Sequence, residues 1–340
     1  MKNQRAIGGC GWRVARTCSP VVAAVVGSLG AAWVKADLFV ADGDQLDRFN
    51  SSTGAIIQTN GHDEFTTSFS ATGVKVGPDG MVYLANTNPG LDPNLAVVNR
   101  YDAGNGQKIG NGFVKYANDP SQLSVSEGLA FGPGGNLYVA DEGDNGPVKV
   151  FDSSGGFFTS YVPQGGNSQA VAFDPAMPNK LFVTTESTIE SFDLTTHANA
   201  IVVQGQTGTF NAATDLAFDS AGTLYVLDAS TSGGPQILAY PDADATKQTV
   251  FASFVTSTFQ PSNMAFGPDG LLYVSGIDVG APTSQQGEVL RLSANGSSSS
   301  VFVSNLNTPG FLAFSAVPEP GSALLLAVGA MAMSIRRRVK

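Results

Sequence analysis

Short apolar runs alternate with turns along this chain, and one phrase keeps returning. An apolar triplet ends in Phe or Val, a turn follows, and a second triplet with a central aromatic residue comes next. Gly128-Leu129-Ala130-Phe131 leads through Gly132-Pro133-Gly134-Gly135-Asn136 into Leu137-Tyr138-Val139. Met264-Ala265-Phe266, the turn Gly267-Pro268-Asp269-Gly270 and Leu272-Tyr273-Val274 repeat it. Further copies are Leu216-Ala217-Phe218 with Leu224-Tyr225-Val226, Val171-Ala172-Phe173 with Leu181-Phe182-Val183, and Val74-Lys75-Val76 with Val82-Tyr83-Leu84. Short alternating runs bounded by turns predict strands. No segment holds a helical period, because Gly and Pro interrupt too often.

The sixth copy is split. Leu38-Phe39-Val40 has no triplet before it, and Leu312-Ala313-Phe314 has none after it. Side by side they make one complete unit. This predicts a ring whose first and last strands share a sheet and leave no free edge. From Phe131 the anchors step by 42, 45, 48 and 48 residues to Phe173, Phe218, Phe266 and Phe314. Such steps suit four-stranded propeller blades. The step from Val76 is 55 residues, which places an insertion around Asn86 to Leu95. Third strands are expected at Leu46–Phe49, Val98–Tyr101, Val148–Phe151, Ile189–Phe192, Ile237–Tyr240 and Val289–Leu292. Fourth strands are expected at Ala55–Ile57, Phe157–Tyr161, Ile201–Val203, Thr249–Phe251 and Ser300–Val303. The expectation is an all-β, six-bladed β-propeller over residues 37–316.

The two ends follow other rules. Lys2, Arg5, Arg13 and Arg16 precede an apolar run from Val21 to Val34, and Val34-Lys35-Ala36 offers small residues for cleavage. Residues 1–36 therefore read as a secretory signal peptide, with a retained anchor as the alternative. Cys10 and Cys18 both fall inside it, so the secreted portion has no disulfide framework and no thiolate metal site. Residues 317–340 open with Val317-Pro318-Glu319-Pro320, continue apolar from Gly321 to Ile335, and close on Arg336-Arg337-Arg338 and Lys340. Pro318 and Pro320 hold Glu319 in an extended backbone. The apolar stretch is shorter than the ~20 residues of a full span. The basic cluster favours the cytoplasmic side.

Residues 37–316 hold 9 Lys and Arg against 27 Asp and Glu, a net of −18. Such a surface repels nucleic acid and suits divalent cations or basic partners.

The tail resembles a PEP-CTERM sorting signal. That resemblance implies signal peptidase and an exosortase as export partners. It also implies a transient inner-membrane anchor through a transmembrane segment, and a Gram-negative-type envelope. An uncleaved C-terminal anchor is the alternative. The strand–turn–strand phrase resembles NHL repeats and the gluconolactonase propellers. In the latter family, Glu, Asn and Asp residues hold a catalytic divalent ion.

Position in the repeat selects residues at one end of the channel: Glu127, Asp141, Asp215, Asp228 and Asn263. Oxygen ligands of that kind suit Ca2+ or another divalent cation. They equally cap strand ends. Asp215 and Asn263 stand one position later than Glu127, which puts them on the other side of a regular strand. The loop Asp141-Glu142-Gly143-Asp144-Asn145-Gly146 is acidic but lacks the distant Glu of an EF-hand. His62 and His197 fall in different blades and read as surface residues. There is no Gly-x-Ser-x-Gly elbow and no phosphate loop. The expected function is a non-enzymatic binding or structural module of the cell surface or exopolysaccharide matrix, with a glycan or protein ligand. The alternative is a metal-dependent lactonase working in the channel.

Overall fold

Each apolar triplet of the repeat becomes a strand, and each turn between triplets folds the chain back antiparallel. The computed structural model describes residues 36–315 except 44, 58–63, 67–70, 87–95, 116–122, 124–125, 143–145, 206–209, 211, 230–232 and 283–285. The leader, the tail with its sorting residues, His62 and most of the Asn86–Leu95 insertion thus lie outside the described residues. Six four-stranded antiparallel sheets form the fold. The inner strands of blades 1 to 6 are Pro309–Phe314, Ala71–Val76, Ser126–Phe131, Ser168–Asp174, Ala213–Phe218 and Phe259–Phe266. The second strands are Asp37–Asp42, Val82–Asn86, Leu137–Asp141, Met177–Thr185, Leu224–Asp228 and Leu272–Asp278. Consecutive inner strands touch around the whole ring, the sixth against the first. Among the described residues no helix is long and apolar enough to cross a membrane.

The ring closes as the split repeat requires. Leu38 pairs with Phe314, Phe39 with Ala313 and Val40 with Leu312. The Asp37 amide donates to Ser315 Oγ at 2.7 Å, and the Ser315 amide returns a bond to the Asp37 carbonyl at 2.9 Å. At the other end of the pair, the Asn307 and Thr308 amides both donate to the Asp42 carboxylate. Backbone pairing thus seals the two far ends of the chain into one sheet.

The third strands stand where the alternation puts them, within a residue or two at each end. Blade 1 departs in its fourth strand. Ile56 makes only an isolated bridge to Phe49, and the fourth strand is Glu64–Thr66. The turn at Thr53-Gly54 brings Ile56 back to Phe49 for that single bridge. Blade 2 behaves alike: Lys108 bridges Tyr101, and Val114–Lys115 supplies the fourth strand.

Contacts between blades explain the composition of the repeat. The aromatic residue of each second strand meets the anchor Phe of the following blade. Tyr83 meets Phe131 at 4.8 Å between ring centroids, Tyr138 meets Phe173 at 5.0 Å, and Phe182 meets Phe218 at 4.9 Å. Tyr225 meets Phe266 at 5.1 Å, and Tyr273 meets Phe314 at 4.9 Å. All five are edge-on, the arrangement aromatic quadrupoles favour. At the remaining joint Phe39 and Val76 share one apolar cluster. The turn Asp has a second task beyond the turn itself. The Tyr273 hydroxyl donates to Asp269 at 3.0 Å, and Arg291 binds the same carboxylate at 2.6 Å. Tyr83 and Asp79 repeat the bond at 2.9 Å.

Aromatic pairs contribute about 0.5–1.5 kcal/mol beyond the area they bury. A double-mutant cycle on Tyr138→Leu and Phe173→Leu, read by urea unfolding, is expected to give a coupling energy in that range. Tyr138 with Phe218, which are not partners, should give additive losses.

Candidate functional site

The inner strands enclose a central channel of about 360 Å³. Its mouth, at the end where inner strands begin and second strands finish, is set by a repeated irregularity. In blades 2 to 6 the pairing register shifts near the start of the inner strand, as between Ala213 and Asp215 or Pro261 and Asn263. A bulge inserts one residue and turns the side chains that follow it. Thr214 and Ser262 take the inserted place in blades 5 and 6, and Glu127 stands in the corresponding stretch of blade 3. The regular-strand argument about Asp215, Asn263 and Glu127 therefore does not apply at the mouth.

Asp215 and Asn263 hold neighbouring blades together. The Met264 amide of blade 6 donates to Asp215 Oδ2 at 2.7 Å, and the Leu216 amide donates to Oδ1 at 2.8 Å. One blade on, the Leu312 amide of blade 1 donates to Asn263 Oδ1 at 3.0 Å. Blades 2 and 3 have Gly73 and Gly128 at this position because the backbones touch. A Cβ on Gly73 would stand 2.1 Å from the Glu127 carbonyl oxygen. Where the backbones separate, an acid or amide bridges the gap.

The other candidates are placed separately. Asp141 forms a buried ion pair with Lys149 at 2.8 Å, both side chains 2% exposed. Asp228 accepts the Ala212 amide at 3.1 Å. Glu127 lies close enough to Glu142 for the neighbouring charge to raise its pKa. The structure therefore brings Asp215 and Asn263 together, and gives Asp141, Asp228 and Glu127 partners of their own. Among the described residues no three His, Cys, Asp or Glu side chains gather to hold a metal ion. His197 lies exposed at a turn of blade 4, beside Tyr161 at 5.4 Å.

One channel residue escaped the sequence reading. Where the other five inner strands carry Ala130, Ala172, Ala217, Ala265 and Ala313 before the anchor, blade 2 carries Lys75. All six line the channel. The Lys75 side chain is exposed to the channel, yet desolvation within the ring lowers its pKa, and the charge of Asp215 opposes that shift. Burial likewise pushes Asp215 up to about 7 against its amide donors and Lys75. Aligning the six repeats exposes this substitution directly.

Residues 316–338 match the PEP-CTERM protein-sorting motif. The chain carries an exosortase sorting tail. The motif implies export and membrane-anchored sorting to the cell surface. Solved structures resemble the propeller region. A chain of the nidogen/laminin complex is 14% identical, with a TM-score of 0.61 over 83% of this chain and 99% of that one. A Bacteroides caccae protein of unknown function is 10% identical, with a TM-score of 0.56 over 82% and 98%. Virginiamycin B lyase from Staphylococcus aureus is 13% identical, with a TM-score of 0.52 over 77% and 78%. At these identities the likeness shows the fold alone. No curated protein matches the sequence.

Glu127 gives the mouth a pH dependence. Burial and the Glu142 charge raise its pKa from 4.5 to about 7. A raised carboxyl pKa gives stability that is complete below about pH 4.5 and lost as pH rises through 7. Unfolding free energy measured across that window should fall less steeply in Glu127→Gln. The difference is expected to be at most about 3 kcal/mol. Superimposed profiles would remove Glu127 from this role.

Proposed function

We propose that this exported propeller is a binding or structural module of the cell surface or exopolysaccharide matrix of a Gram-negative-type bacterium. The sorting tail carries the reading, because it delivers the disc to the outside of the cell. The ligand is a glycan bridged by Ca2+ or a basic protein segment, received at the mouth. The chemistry of the mouth supports this. Glu127, Glu142, Asp228, Asp278 and Glu288 lie at strand ends on that side. Burial and the Asp278 charge raise the pKa of Glu288, so acids there already repel one another. A cationic bridge or a basic partner relieves such repulsion. Loops carried on a rigid frame are also where recognition concentrates.

A channel-metal lactonase needs three or more ligands converging on one ion. Asp215 and Asn263 instead spend their oxygens on backbone amides of the next blade. That weighs toward binding rather than hydrolysis.

A glycan array and a basic-peptide panel, each with and without Ca2+, should give binding to the purified protein that Glu127→Gln/Glu142→Gln weakens. Blank arrays under both conditions would end the reading. Sorting is tested separately. Glu319→Ala with Pro318→Ala should leave full-length protein in the membrane fraction, where the unaltered chain is shortened and released. Identical processing of both would show that the motif does not act.

A further inference from the structure

The channel contains a lysine that the fold does not need. The corresponding residue is Ala in five blades, so an apolar methyl suffices for packing there. Among the described residues Lys75 forms no hydrogen bond and no ion pair. The described Lys149 and Lys247 both form ion pairs. Lys75 keeps contact with channel space, so solutes in the channel reach it. The channel lining mixes apolar residues such as Val74, Val76, Leu129 and Phe131 with the polar Asp215 and Asn263. Blades 2 and 5 stand opposite in a ring of six, and Asp215 of blade 5 acts electrostatically on Lys75. Two backbone amides hold the Asp215 carboxyl in place.

We propose that the channel captures small aldehydes or ketones, the Lys75 amine condensing with the carbonyl carbon while Asp215 faces the cation that forms. The amine lone pair attacks the carbonyl carbon, and the C=O π electrons move to oxygen. Two protons pass from nitrogen to that oxygen, which leaves as water. A C=N bond replaces C=O. Ammonium plus carbonyl gives iminium plus water, so charge and atoms balance and no oxidant or reductant takes part. Desolvation inside the ring favours the amine with its lone pair free, as in lysines that form Schiff bases. A fixed carboxylate opposite then stabilises the iminium. At about 360 Å³ the space suits a small molecule. The proposal does not depend on the surface-binding role.

The test uses the purified full-length chain, limiting propanal and cyanoborohydride, which reduces any iminium to a stable secondary amine. Peptide mass spectrometry then ranks the lysines. Lys75 is expected to label several-fold faster than Lys108, Lys115 or Lys247 near neutral pH, because a lowered pKa frees more of the amine. Lys75→Arg should keep the melting transition and leave the other lysines labelling as before. Asp215→Asn should slow Lys75 labelling several-fold. If that variant fails to fold, the pH profile of Lys75 labelling in the unaltered chain replaces it. A profile turning upward at lower pH than that of Lys108 supports the proposal. Labelling of Lys75 no faster than Lys108 in an intact protein overturns it.

Discussion

Everything here rests on the edge-on contact between a second-strand aromatic ring and the anchor Phe of the next blade. A four-stranded sheet has two faces and cannot bury both alone. The ring contact gives each sheet a partner on either side and fixes the distance between them. Once five such joints and the Phe39–Val76 joint exist, the number of blades and the bore of the channel follow. Packing of this kind is sensitive to small changes in volume. This accounts for a composition of Phe, Tyr, Ala and Gly at repeated places rather than a looser mixture of aliphatics.

The frame was legible because its signals are local and periodic. Leu-Tyr-Val triplets, glycine turns and the split repeat at Leu38 and Leu312 are each readable without knowing any long-range contact. Fourth strands were less legible: Ala55–Ile57 has the apolar character of a strand, yet only Ile56 bridges. An outermost strand packs on one side only, so its sequence is weakly constrained. The mouth was the least legible part. A bulge has no residue signature of its own in Thr72, Glu127, Gln169, Thr214 or Ser262. It nevertheless redirects the side chains that follow it. Sequence position singled out Asp215 and Asn263, but their bonds to Met264 and Leu312 arise from the neighbouring blade. Lys75 was visible all along as the odd member of an alanine set.

Charge is distributed by the same frame. Arg291 and Arg100 lie beside turn aspartates at the end away from the mouth, and Lys149 is buried against Asp141. Arg48 and Lys247 are ion-paired too, so among the described residues five of the nine cations in residues 37–316 are engaged before any partner arrives.

The pairing of Leu38 with Phe314 joins residues separated by almost the whole secreted length. A polypeptide delivered amino end first must present its opening strand long before the closing one exists. Until then that strand's inner hydrogen-bonding row stays bare and open to pairing with a second copy. Contacts this distant in sequence also form slowly. The blade 1 sheet therefore cannot be completed until both ends of the propeller region are present.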